Sequence, residues 1–325
     1  MSLIKKYFAP IFLTISAWTG LGAQELTLPP YTQYLADNPF LISPTFAGIG
    51  DHLRIRLSGV TQWVGVKNAP DTQALVADMR IGQRSGIGVL LYNDSNGFTE
   101  QKGAKFSFAH HLTFDAFENH FFSFGLSYNY NQIGFDTSSF DPNDPNVNIG
   151  NTNNHNFDVG FLYRKEAFYF AFNASNLLNK DLDLFAISEP NALRNYYMYS
   201  GYRWKKNKNS DFEIEPSAFF QLFESDGRSN TDLNIRFRKY DLENNYWAGI
   251  SYRFLNDQLL KPLNITPMIG LTYNKIFFAY GYQLTLNELI GYNSGTHMVT
   301  VGIDIFQGVS DCPCVQRPGS GSKAF

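Results

Sequence analysis

From about Leu53 to Phe306, apolar and aromatic residues fall at every second position and polar residues fill the places between. In one run Phe122, Phe124, Leu126, Tyr128 and Tyr130 share one face, and Ser123, Gly125, Ser127, Asn129 and Asn131 share the other. Successive strand side chains alternate faces, so such a run makes a sheet with one apolar surface. Repeated along most of a long chain, the pattern predicts a barrel whose greasy face meets lipid and whose polar face lines the interior.

Turn residues divide this body into about fourteen runs, each near the roughly 10 residues of a tilted spanning strand. They lie near 53–63, 71–81, 85–93, 102–114, 119–134, 155–165, 167–174, 193–206, 211–223, 229–239, 245–255, 264–274, 276–285 and 295–306. Connections after even-numbered runs are short, from Gly82–Ser85 to Tyr273–Lys275, and those after odd-numbered runs are longer on the whole. The longest cover 136–154 and 175–192. Outer-membrane barrels have short periplasmic turns and long external loops. The expected fold is therefore all-β, an antiparallel transmembrane barrel of about fourteen strands with both termini in the periplasm.

A charge facing mid-bilayer lipid costs about 2–4 kcal/mol, so charges should collect inside. Arg54, Arg56, Asp78, Arg80, Lys105, Asp158, Glu213, Glu215, Arg236, Arg238, Arg253 and Asp304 share the polar parity. Both signs occur among them. A one-sided charge ring would select ions, whereas mixed signs pair across the lumen and help fill it. The interior reads as plugged or narrow.

Composition agrees with the barrel. Aromatic residues make up 16% of the chain, as interfacial girdles require. Mean hydropathy is only -0.24, as expected when each strand is half polar. The net charge of -3 gives no basis for nucleic-acid binding. Lys5 and Lys6, the apolar stretch from Ile11 to Trp18 and Leu21-Gly22-Ala23 before Gln24 read as a signal peptide over 1–23. The segment 24–52 is expected to be periplasmic or plug-like, 53–306 the barrel, and 307–325 a flexible periplasmic tail. Cys312 and Cys314 lie in that tail, at a spacing that reads as too close for an easy mutual disulfide and too sparse for zinc.

Catalytic chemistry has little support. Adjacent His110 and His111 face opposite ways in a strand, and no GxSxG, HExxH or P-loop occurs. Glu213 and Glu215 share one face, but pairing with interior arginine accounts for them. No catalytic residue, metal or cofactor is expected.

Tyr31 to Gly50 is not strand-like. It carries Tyr34, Phe40, Ile42 and Phe46 around Asn38-Pro39 and Ser43-Pro44, and the prolines exclude a continuous helix or ladder strand. Such an apolar segment must bury itself in the barrel mouth or dock a partner. Gln33-Tyr34, Asn38-Pro39, Ile42, Pro44 and Ala47-Gly48 resemble the N-terminal signature of the PorP/SprF family of type IX secretion membrane proteins. So do Gln62-Trp63-Val64-Gly65, Ala69-Pro70-Asp71-Thr72-Gln73, Asn156-Phe157-Asp158-Val159-Gly160, Ser175-Asn176-Leu177-Leu178, 212–216 and 246–253. The chain beyond Phe306 departs from members that end at the last strand.

The resemblance implies an outer-membrane component of the secretion and gliding machinery of Bacteroidetes. Its implied partners are a periplasmic ring lipoprotein or translocon, or the C-terminal domain of a secreted cargo. Gln33, Tyr34, Asn38, Pro39, Phe40, Ile42, Pro44, Phe46, Trp63, Gly65 and Pro70 are the partner-binding candidates. Two other readings remain open: a fourteen-stranded transporter of small hydrophobic solutes, and a barrel hydrolase.

Overall fold

The structure is a computed structural model that describes residues 35, 37–115, 119–135, 152–178, 194–207, 210–224, 227–241, 244–258, 260–286, 291–306 and 312–315. The signal segment, Gln33, Tyr34 and most of the two long loops lie outside the described residues.

The wall is built from β1 (Leu53–Thr61), β2 (Asp71–Ile81), β3 (Ser85–Asn96), β4 (Thr99–Asp115), β5 (His120–Phe135), β6 (Thr152–Lys165) and β7 (Phe168–Ser175). It continues through β8 (Asn195–Tyr202), β9 (Trp204–Lys205), β10 (Phe212–Phe223), β11 (Ser229–Asp241), β12 (Asn244–Leu255), β13 (Lys261–Tyr273), β14 (Ile276–Thr285) and β15 (Thr296–Ile305). Strands β8 and β9 are one strand broken at Arg203, since both pair with β10. Neighbours in sequence pair antiparallel, and β15 returns to β1 to close a fourteen-stranded barrel. Closure matters because lipid offers nothing to an unpaired strand edge.

Period-two alternation dictates the two faces. In β1 the burial alternates residue by residue, with Arg54, Arg56, Ser58 and Val60 buried inward. Leu57, on the other face, is 52% exposed. It pairs with Val301 on one side and Leu75 on the other, and Leu75 with Leu91, giving a lipid-facing aliphatic row. Phe114, Tyr202, Trp204, Phe212, Tyr246, Tyr273 and Phe306 are exposed near the short-turn end, as an interfacial aromatic girdle would be.

Two boundaries differ from the pattern-based expectation. The third connection is not a long loop over 94–101, because β3 and β4 continue to a tight turn at Gly97-Phe98. Gly97 has φ 63, a left-handed conformation that glycine adopts without strain. The tail is not free at 312–315 either: Pro313–Val315 form a short 3-10 helix, and Cys312 and Cys314 form a disulfide. The turn sets their Cα atoms 5.2 Å apart, within the range a disulfide bridges, despite the short spacing.

Candidate functional site: the plugged lumen

Leu35 and residues 37–50, just before the barrel, fold inside it. Pro39 and Pro44 each open a 3-10 helix, Pro39–Leu41 and Pro44–Phe46, where a missing N–H leaves no partner unsatisfied. The Ser43 side chain caps the second by accepting from the Thr45 N–H at 3.3 Å. Leu35, Phe40, Ile42, Phe46, Ala47 and Ile49 pack in one core with wall residues such as Val76, Leu90, Leu162, Tyr199, Phe219, Trp247 and Phe277. This is the interior of the short-turn half of the barrel.

The wall is shaped to receive the plug. Gly86, Ala109, Gly125 and Gly160 are opposite one another in register across β3, β4, β5 and β6. All four face inward. A Cβ on Gly86 would stand 2.2 Å from the Ala47 carbonyl oxygen, and one on Gly125 2.5 Å from the Thr45 nitrogen. One on Gly160 would stand 2.9 Å from the Ser43 hydroxyl, and one on Gly88, next in the wall, 2.5 Å from the Phe40 ring. The row is a trough for the plug backbone, the close approach that strand glycine permits.

Charged and polar groups fasten the plug from three sides. On β11, Arg236 donates to the Leu35 carbonyl at 2.5 Å and to Asp37 at 3.0 Å, and Arg238 also donates to Asp37. Arg236 simultaneously holds Glu215 at 2.5 Å. Glu215 accepts from the Tyr169 hydroxyl at 2.7 Å and lies 3.5 Å from Arg203. On β2, Asp78 accepts from the Gly48 N–H at 3.0 Å and pairs with Arg54 at 2.6 Å. Arg80 donates to the Gly50 carbonyl at 3.3 Å. On β4, fully buried His111 sits 3.0 Å from the Ala47 carbonyl through Nε2 and 2.7 Å from the Ser123 hydroxyl through Nδ1. A carbonyl only accepts, which assigns the proton to Nε2.

The other interior charges also have partners. Arg56 pairs with Asp304 at 2.7 Å and lies 4.4 Å over the Phe277 ring. Lys105 meets Asp158 at 2.5 Å, and Arg253 holds Asp232 through two bonds of 2.6 and 2.7 Å. Glu213 accepts from the Tyr240 hydroxyl at 3.3 Å. A small pocket lined by Trp247, Met268, Ala279, Gly281, Met298 and Thr300 has a volume of about 10 Å³, room for about one water.

The sequence candidates therefore separate into three groups. The twelve charged residues all point inward and make the ion pairs and hydrogen bonds just described. Asn38, Phe40, Ile42, Pro44 and Phe46 are buried in the lumen and Pro39 is half-buried, so they fill the barrel rather than present a face to a partner. Trp63, Gly65 and Pro70 lie at the opposite, long-loop end. There Val64 exchanges backbone bonds with Gly295 and Ser294 at 3.0 and 2.8 Å, and Gly65 is exposed while Pro70 is buried. Sequence reasoning missed His111, Asp37, Asp232 and the glycine trough. Gly125 and Gly160 were visible at inward parity, but their shared height required the register.

A family model for "Type IX secretion system membrane protein PorP/SprF" matches residues 23–303. No curated protein matches the chain. Among solved structures, the chain is similar to the CymD monoaromatic hydrocarbon channel at 10% identity, covering 90% of this chain and 96% of that one, with a TM-score of 0.48. It is similar to the Ralstonia pickettii toluene transporter TbuX at 9% identity, covering 82% and 93%, with a TM-score of 0.47. BamA from Haemophilus ducreyi, lacking POTRA domains 1–3, matches at 8% identity over 78% and 70%, with a TM-score of 0.42. These proteins share barrel architecture with the chain; at such scores the likeness carries no argument about cargo or ligand.

Proposed function

The chain belongs to the PorP/SprF family of type IX secretion system membrane proteins, and from that premise we propose that it serves as a non-enzymatic outer-membrane docking component rather than a conduit. The observation that carries this reading is the plug. Its backbone lies in a trough that side chains would fill, and its carbonyls and carboxylate are held by buried arginines. A polypeptide or hydrated solute crossing the short-turn half would have to displace all of it.

The remaining surfaces are the two rims. Short turns mark the periplasmic rim in outer-membrane barrels, so the plug and the tail at 312–315 enter from the periplasm. The short-turn rim would meet a periplasmic ring lipoprotein or translocon component. The long-loop rim, with Trp63, Gly65 and exposed Val66, would meet the C-terminal domain of a secreted cargo. A small-hydrophobic-solute channel would need a continuous apolar path, which the Asp37–Arg236–Glu215 network interrupts.

The test is site-specific photocrosslinking in cells, with the crosslinker at Glu166 on the short-turn rim or at Val66 on the long-loop rim, followed by recovery in detergent. Capture of a secretion component or cargo at either rim is expected. Capture of neither, together with uptake of hydrophobic solutes into liposomes carrying the purified barrel, would overturn the reading in favour of transport.

A further inference from the structure

Beyond the last strand, residues 312–315 sit at the short-turn mouth. Ile305 pairs with Leu53 at the β15–β1 seam, whereas Cys312, Cys314 and Val315 are buried against Phe121 at the start of β5. Residues 312–315 thus lie at the β4–β6 rim. Their seat is specific. Arg164 donates to the Cys314 carbonyl while its guanidinium lies 5.2 Å over the Phe121 ring. The Gly50 N–H, at the exit of the plug, donates to the Val315 carbonyl at 2.8 Å. The Thr113 hydroxyl lies 3.5 Å from the Cys312 sulfur. The tail therefore touches both the wall and the plug.

We infer that Cys312–Val315 is a disulfide-closed latch and that the Cys312–Cys314 bond is a site of thiol–disulfide exchange with a dithiol, which releases the latch from the plug. The seat grips the carbonyls of residues 314 and 315, which reach Arg164 and Gly50 together because the segment is turned. The bond between residues 312 and 314 holds that turn closed. Opening it returns backbone freedom to a stretch whose attachment depends on staying bent.

The exchange balances within the latch and one reagent. A thiolate of the dithiol attacks the Cys312 sulfur, and Cys314 leaves as a thiolate and takes up a proton. The reagent's second thiol then displaces Cys312 from the mixed disulfide. Two electrons and two protons pass to the latch, and the reagent leaves as its own disulfide. In the seated latch Cys314 is fully buried and Cys312 nearly so. Attack therefore follows lifting of the tail, and the exchange rate measures how often the latch lifts.

The inference stands apart from the secretion role and is tested on the purified full-length chain in micelles, with dithiothreitol as the probe. Without reductant, iodoacetamide should label neither cysteine; after reduction it should label both. Hydrogen exchange at the Gly50 amide should then accelerate at least tenfold, while the Gly48 amide, held by Asp78, keeps its rate. The double variant Cys312→Ser/Cys314→Ser should show the fast Gly50 exchange with no reductant. Val315→Asp, which disturbs the seat and leaves both sulfurs, should speed reduction at least tenfold. Free thiols in the protein as isolated would overturn the proposal. So would Gly50 protection that survives reduction, or reduction of Val315→Asp at the unmodified rate.

Discussion

Gly86 and Ala47 approach so closely that a Cβ added to the glycine would stand 2.2 Å from the alanine carbonyl oxygen and 2.5 Å from its carbon. The obstacle is backbone, which cannot swing aside as a side-chain tip can. Gly86→Val should therefore lift the plug out of its trough, at a cost of about 1–3 kcal/mol for overpacking. Gly125→Val should act alike. Planar-bilayer conductance checks this: the unmodified barrel should be nearly silent and both variants should show channel steps. Gly59→Val is the control, because a Cβ there meets nothing within 4 Å.

Arg236 is the bond between plug and wall that does most at once, since it holds Leu35, Asp37 and Glu215. Arg236→Met leaves buried carboxylates without that partner, and breaking a buried pair from one side costs about 3–5 kcal/mol. Glu215 keeps Arg203, and Asp37 keeps Arg238, so the expected loss lies toward the lower end. Urea unfolding in lipid vesicles measures it. Arg236→Lys should recover only part, because an ammonium cannot reproduce the planar fork.

His111 bridges Ala47 and Ser123 in a fully buried place. His111→Ala removes the partner of both groups and should destabilise by about 1–3 kcal/mol. His110, one residue away, faces outward to Ser85 at 2.9 Å, and His110→Ala should change stability far less. Equal losses in the two variants, read from the same unfolding curves, would contradict this assignment of faces.

Leu57 stands in the lipid-facing row between Val301 and Leu75. Leu57 is the middle residue of β1, so Leu57→Arg should cost about 2–4 kcal/mol, the penalty of an arginine facing mid-bilayer lipid. Folding into vesicles of thinner lipid should reduce the penalty, because the arginine then lies nearer an interface.

The barrel was legible in the chain because lipid on one side and a filled interior on the other impose a period of two on every strand. The strand beginning at Phe212 and the one ending at Ile305 could be placed to within a residue by that rule. The β3–β4 turn was misjudged because polar Asp94, Ser95 and Asn96 look like loop, yet all three remain in the ladder against β4. The break at Arg203 was also hidden, since a strand interruption leaves little trace in alternation.

The candidate site was legible by halves. The parity of Arg54, Arg236 and Glu215 identified interior charges, because a charge has few other places to go. Their partners could not be read, since Asp37 and Arg236 are brought together by the plug's path and not by any local pattern. Cys312 and Cys314 were misread for the same kind of reason. Their spacing says nothing of the turn at Pro313, or of the seat that Phe121 and Arg164 provide.

The β1–β15 seam also bears on the order of assembly. It joins Leu53 to Ile305 through nine residue pairs between the most distant strands of the wall, and ladders between remote segments form late because loop closure must precede them. The plug lies just ahead of β1 in the chain yet reaches Arg236 on the far wall. A sheet that zipped its seam first would have to admit residues 35–50 through a finished mouth. When the seam zips last, the plug acts as the mandrel around which the sheet curls, and errors in plug seating become errors in barrel closure.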